Sequence, residues 1–181
     1  MSYEKQKKEI ETIKERNISL NLSDADCDRL SRLCGEHNLT ISQLLENFIG
    51  DLVDGTYSNG SDERMYAEKW FNRCWFGMFP EKTFLNYLLS YSCSYDVDDF
   101  LGLLDDIAEA QNDLTEYEKS PVDEGDLKEM EWIRDELNGK LEDLEEIKSD
   151  FVKENPDAVW DEEVNKVRQW WNAKEKFKNV K

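Results

Sequence analysis

Hydrophobic and polar positions follow two different periods along this chain. From Asn17 to Leu22 (Asn-Ile-Ser-Leu-Asn-Leu) they alternate at period two, which predicts a strand. Ile18, Leu20 and Leu22 would face inward, and Asn17, Ser19 and Asn21 outward. Nearly everywhere else the apolar spacing is helical. Residues 2–16 read as a short charged helix with Ile10 and Ile13 on one side. Ser23 is a good N-cap, with Asp24 and Asp26 in the first turn of a helix carrying Cys27, Leu30, Leu33 and Cys34. That helix should end near residues 35–38. Thr40 to Gln43 forms a capping box for a helix with Leu44, Leu45, Phe48, Ile49 and Leu52, ending at Asp54-Gly55. After a turn-rich link, Ser61-Asp62-Glu63 is expected to cap a helix bearing Met65, Tyr66, Trp70, Phe71, Trp75 and Phe76, stopped by Gly77. Pro80 suits the first turn of the next helix, which carries Phe84, Leu85, Leu88 and Leu89.

The texture changes near Asp96. Val97, Phe100, Leu101, Leu104, Ile107, Ala108 and Leu114 mark the stripe of a long helix, and Pro121 and Gly125 mark a turn. The next helix repeats at seven, through Met130, Leu137, Leu144 and Phe151, flanked by Leu127, Ile133, Leu141 and Ile147. This pattern predicts a coiled-coil-like helical hairpin. Asn155-Pro156 breaks it, and a last helix holds Val159, Trp160, Val164, Val167, Trp170, Trp171 and Phe177. The expected architecture is mostly α, in two lobes. Residues 1–95 form the first, with an aromatic helical extension. Residues 96–181 form an acidic hairpin closed by a Trp-rich helix.

Charge sharpens this division. The chain carries 42 Asp and Glu against 23 Lys and Arg, a net −19. Residues 91–163 hold 26 acids and 6 bases, whereas residues 164–181 hold 1 acid and 6 bases. Such a surface repels nucleic-acid phosphates and attracts basic proteins. No run approaches the ~20 apolar residues that span a bilayer. The N-terminus has no apolar stretch after its basic residues, so a secretory signal is not expected, and the four cysteines form no CxxC pair. A cytoplasmic chain with reduced thiols is the expectation.

Motifs for chemistry are sparse. His37 is the single histidine, and its neighbours suggest a helix C-terminus, where histidine suits the dipole. Cys34 and His37 would supply two metal ligands where zinc wants four. Phosphate-binding glycine loops and HExxH are absent. Carboxylate pairs are so abundant that none singles out a catalytic dyad. The expectation is a binding protein, without catalytic residues, metal or cofactor.

The order strand, capped helix, loop, capped helix over residues 17–54 resembles the ribbon-helix-helix family. The residues that carry it are Ile18, Leu20 and Leu22, then Leu30 and Leu33, then Leu39-Thr40-Ile41-Ser42-Gln43-Leu44-Leu45. The resemblance implies a homodimer through residues 17–22 and DNA contact through Arg16, Ser19 and Asn21. The outward positions carry no positive charge, which departs from the DNA-binding pattern, although Asn can read adenine.

The hairpin faces are richer in acid than solubility needs. Asp98, Asp99, Asp105, Asp106, Glu109, Asp113 and Glu116 lie on its first helix, and Glu142, Asp143, Glu145 and Glu146 on its second. Together with the segment from Gly55 to Phe71, continuing at Phe79 to Phe84, this texture is similar to anti-CRISPR proteins of phages and mobile elements that act on type II Cas9. The resemblance implies an inhibitor of the Cas9–guide RNA complex, working in the cytoplasm of a bacterial host, with the acidic residues as the partner-binding surface. Trp70, Trp75, Trp170 and Trp171 are either core residues or anchors of such an interface. A ribbon-helix-helix transcriptional regulator is the alternative function.

Overall fold

The computed structural model describes residues 3–90, 94–119 and 123–179, which divide into two compact units at Glu81/Lys82. The predicted turn residue Pro121 lies outside the described residues. The mostly helical expectation holds.

The first unit contains α1 (Tyr3–Glu11), α2 (Asp24–Glu36), α3 (Ile41–Val53), α4 (Ser61–Arg73) and α5 (Trp75–Met78). Its helix ends are fixed by local hydrogen bonds. The Asp26 amide donates to Ser23 Oγ at 3.2 Å, which starts α2. The capping box of α3 is formed on both sides, Gln43 N to Thr40 Oγ1 at 3.1 Å and Thr40 N to Gln43 Oε1 at 2.9 Å. Asp54 closes α3 in the left-handed conformation, with φ 54, and pairs with Arg64 at 2.7 Å. The following link folds back over α3, where Asp51 accepts from the Asn59 amide at 2.6 Å and from its side chain at 2.9 Å. These bonds, led by the one from the Asn59 side chain, hold the Asp51 carboxyl below its ordinary value. The crossing requires Gly50, because a Cβ there would lie 2.6 Å from the Tyr57 carbonyl carbon.

Four expectations are corrected in this unit. Residues 17–22 form no strand, and Ile18, Leu20 and Leu22 are exposed. A strand needs a neighbour for its backbone groups, and among the described residues no other segment pairs with this one. The aromatic helix does not run to Gly77. It breaks at Cys74, whose extended backbone ends α4 and starts α5, and Gly60, not Ser61, is the N-cap of α4. Pro80 does not open a helix, since the next helix begins only at Phe84, capped by Thr83.

The second unit, Lys82–Asn179, contains α6 (Phe84–Leu89), α7 (Val97–Lys119), α8 (Glu124–Glu154) and α9 (Trp160–Lys178). Helices α7 and α8 pack against each other, and α6 and α9 pack on α7. Phe84 is fully buried among the rings of Phe100 (4.8 Å), Phe151 (5.2 Å) and Trp160 (4.7 Å), centroid to centroid. Leu88, Val97, Leu103, Ile107, Ile147 and Val167 complete the core. Because Phe84 and Leu88 belong to this core, α6 goes with the second unit, although the sequence reading placed it in the first lobe.

One carboxylate is buried here. Glu163 on α9 accepts from the Phe84 amide at 2.7 Å and pairs with Lys166, so it ties the start of α6 to α9. Phe84→Ala should cost about 3–5 kcal/mol, as an aromatic deleted from a packed core does. Glu163→Ala should cost about 1–3 kcal/mol by leaving the Phe84 amide without a partner. Urea unfolding followed by tryptophan fluorescence checks both, and a loss under ~1 kcal/mol for Phe84→Ala would contradict this account of the core.

Candidate partner-binding surface

The acidic surface follows from the hairpin seam. Apolar positions of α8 recur as Met130, Ile133, Leu137, Leu144, Ile147 and Phe151, each buried or half-buried. Alternating steps of three and four place Lys140 between Leu137 and Leu144, on the same seam. Its ammonium reaches Asp106 of α7 at 2.6 Å and Glu136 at 3.2 Å. Those two bonds, the Asp106 one first, hold Lys140 above its ordinary value. Leu127 and Leu141, expected to flank the seam, fall outside it and are exposed.

The acidic positions off the seam face water. On α7 the residues Asp98, Asp105, Glu109 and Glu116 stand at helical spacing opposite the buried Phe100, Leu103 and Ile107. All eleven acidic residues singled out from the sequence are exposed. Four of them have local structural roles. Asp99 closes the first turn of α7, its amide donating to Asp96 Oδ1 at 2.9 Å. Asp106 is held by Lys140, and Glu145 pairs with Lys148 at 3.2 Å. Asp143 accepts from the Tyr95 hydroxyl. Burial first, and then this carboxylate, push that phenol up. The other seven, Asp98, Asp105, Glu109, Asp113, Glu116, Glu142 and Glu146, have none of these roles.

At the tip of the hairpin the seam opens into a cleft of about 460 Å³ lined by Asp113, Glu116, Tyr117, Asp126, Glu129 and Ile133. The Tyr117 hydroxyl donates to Glu129, which raises its pKa. The cleft is concave and four-fold acidic, a shape that suits a cationic side chain. Sequence reasoning missed Asp126 as part of it. It also missed Trp132, which is 64 % exposed on α8. The signal was present, because Trp132 follows the seam residue Met130 by two, on the polar side of the heptad.

The four tryptophans named earlier divide. Trp170 and Trp171 pack against the core of the second unit, with Lys174 Nζ 3.9 Å from the Trp171 ring centroid. Trp70 and Trp75 are 49 % and 71 % exposed.

The residues of the alternative DNA surface are not brought together as a ribbon. Ser19 and Asn21 are exposed on an irregular segment, and Arg16 is half-buried, its Nη2 donating to the Thr12 carbonyl at 3.5 Å. Cys34 is buried, and His37 ends α2 through its amide, as its neighbours suggested. Among the described residues no three His, Cys, Asp or Glu side chains converge as a metal would require. Nor is any described helix long and apolar enough to cross a membrane.

Comparison with known protein families, curated proteins and solved structures finds no match. Function is therefore argued from the charge and shape of this surface.

Lys140→Glu should lower the melting temperature most at low salt, because it sets a third carboxylate against Asp106 and Glu136. Adding Asp106→Lys should recover part of the loss. The raised pKa of Lys140 sets the pH dependence. Its contribution is full below the ordinary lysine value and is lost as pH rises through the raised one. Equal melting temperatures for the single and double variants at low salt would show that this pair does not set the seam.

Proposed function

We propose that this chain is a protein-binding inhibitor that presents its acidic hairpin to a basic nucleic-acid channel on another protein. The observation that carries this reading is the run of exposed carboxylates on α7 beyond its first turn, Asp105, Glu109, Asp113 and Glu116. Carboxylates in a helix's first turn have a local reason, the dipole, and these do not. Residues 82–179 carry 27 acids against 12 bases, so the unit bears a self-repulsion that a positive partner relieves. The resemblance noted above names the Cas9–guide RNA complex as that partner. Its nucleic acids run in positively charged channels, which an acidic helical face can occupy. Charge of this kind sets the association rate and its salt dependence more than the final affinity.

The test adds purified chain to guide-loaded Cas9 and labelled target duplex at physiological and raised salt. Target binding or cleavage should fall, less so at raised salt. Reversal of Asp105, Glu109, Asp113 and Glu116 to Lys should weaken the effect about tenfold or more. Inhibition that survives the reversal would sink the assignment of the surface. Absence of any effect on Cas9 would sink the partner.

A second reading is favoured by one observation. Residues 17–22 keep their apolar alternation while their backbone is unpaired, ahead of two well-capped helices. A second chain would complete a two-stranded ribbon there, in a homodimer that reads DNA through Arg16, Ser19 and Asn21. In a gel-shift assay with the DNA upstream of the chain's own coding sequence, Ser19→Ala with Asn21→Ala should then abolish binding. The acidic reversal should leave binding intact or tighten it. No shift with the unmodified chain would remove this reading.

A further inference from the structure

The first unit has almost no interior. Of its described hydrophobic residues only Cys34 and Ala67 are buried. Its most apolar helix, α3, leaves Ile41, Phe48, Ile49 and Val53 exposed. Leu30, Leu44, Leu45 and Leu52 are half-buried. So thin an interior offsets little of the conformational entropy of folding, and covering the exposed apolar face would add to it.

The uncovered surface has a centre. Tyr66, Trp70, Phe71, Trp75, Phe76 and Phe79, on and just after α4 and α5, are each 41–71 % exposed. Four of these rings touch edge to face, Trp70–Phe76 at 6.3 Å, Phe71–Phe76 at 5.3 Å and Trp75–Phe76 at 6.3 Å, and Phe48 of α3 joins Trp70 at 5.3 Å. The face is held in shape by Gly77, which lies so close to the Phe71 carbonyl that no other residue fits. Aromatic side chains offer about 150–250 Å² each, so these six leave on the order of 600–700 Å² in water. That exceeds the ~300–600 Å² of the largest patch on an ordinary monomer. With Met78 and with Phe48, which meets Trp70, it approaches the ~800 Å² that each partner gives to a stable interface.

We propose that a second copy of this chain covers the face, in a two-fold dimer in which the α4–α5 aromatics of the two copies pack against each other. Two observations choose a second copy. The exposed large hydrophobics of the second unit (Leu89, Leu127, Trp132, Leu141, Val159 and Phe177) are spread over several elements and build no matching aromatic face. Among the described residues this is the one extended aromatic surface exposed, and packing it on the same surface of a second copy makes an isologous interface. Charge permits the encounter. Residues 1–81 carry 15 acids and 10 bases, and Lys69, Arg73 and Glu68 on α4 give the face a rim of mixed sign. The dimer goes beyond the inhibitor reading and does not depend on it.

Sedimentation equilibrium of the full chain over a roughly hundredfold concentration range tests the dimer, with a melting curve at each concentration. The dimer should weigh twice the 21.4 kDa of the chain, and its melting temperature should rise with concentration. Trp75→Glu and, separately, Phe79→Glu should each yield monomer. Both side chains are largely in water, at 71 % and 69 % exposure, so neither change removes a buried group, and the far-ultraviolet signal of α7 and α8 should be retained. Monomer at every concentration for the unmodified chain would overturn the proposal. So would a dimer that persists in both variants, or one that is lost in Leu20→Glu alone. The last result would assign the interface to residues 17–22.

Discussion

Carboxylate repulsion is the constraint around which the second unit is built. Its net −15 is concentrated on two adjacent helices, which would part without a strong reason to stay together. The reason is apolar and aromatic. Phe84 enters from α6, Trp160 and Val167 from α9, Phe100 from α7 and Phe151 from α8, so every helix of the unit is committed to one cluster. The two charged groups that reach inward are each paired. Glu163 satisfies the first amide of α6, and Lys140 brings a positive charge to the seam between Asp106 and Glu136. A lysine at a seam position weakens burial there, yet it permits one register, because a slip would part it from Asp106.

The acids are not all of one kind. Asp96 and Asp99 close the start of α7, and Asp123 and Asp126 form a capping box at the start of α8. The amides of Asp126 and Gly125 hold the Asp123 carboxyl below its ordinary value. Asp161, Glu162 and Glu163 open α9, and Lys176 and Lys178 close it, so the change from acid to base along the C-terminal stretch complements one helix dipole. Subtracting these leaves the mid-helix carboxylates of α7 and the outer face of α8, a smaller set than the sequence presented. That subtraction, more than the total of −19, is what makes those positions worth testing.

Legibility in the sequence followed the range of the interactions. Caps and stops were visible, because Ser23 to Asp26, Thr40 to Gln43 and Asn155 are local. The hairpin was visible because a heptad repeats a local rule. Its one polar seam position, Lys140, escaped notice because an apolar count passes over a lysine whose partner lies 34 residues earlier. Helix α6 was assigned to the wrong neighbour for the same reason, since Phe84 is claimed by Phe151, Trp160 and Glu163, all more than sixty residues on. The break at Cys74 had no signal of its own. It is made by α5 folding back until Gly77 meets the Phe71 carbonyl. The period-two segment was read correctly as a pattern and wrongly as a strand, because a pattern names the face to be buried and cannot supply the partner that buries it.

The same distinction separates the two units. In the second, local order and a closed core agree. In the first, the helices from α2 on are locally well specified while the core is thin: α2 and α3 are capped, Asp51 anchors the link through Asn59, Arg64 meets Asp54, and Gly50 and Gly77 allow two close crossings. These contacts are mostly at the surface, where each contributes little stability. Their effect is to fix where the helices end and how the chain turns between them. An apolar face arranged in this way loses little further conformational freedom when it is covered, so more of its burial energy remains for association. A unit whose ends are this well specified and whose interior is this poorly filled has the properties of half an interface.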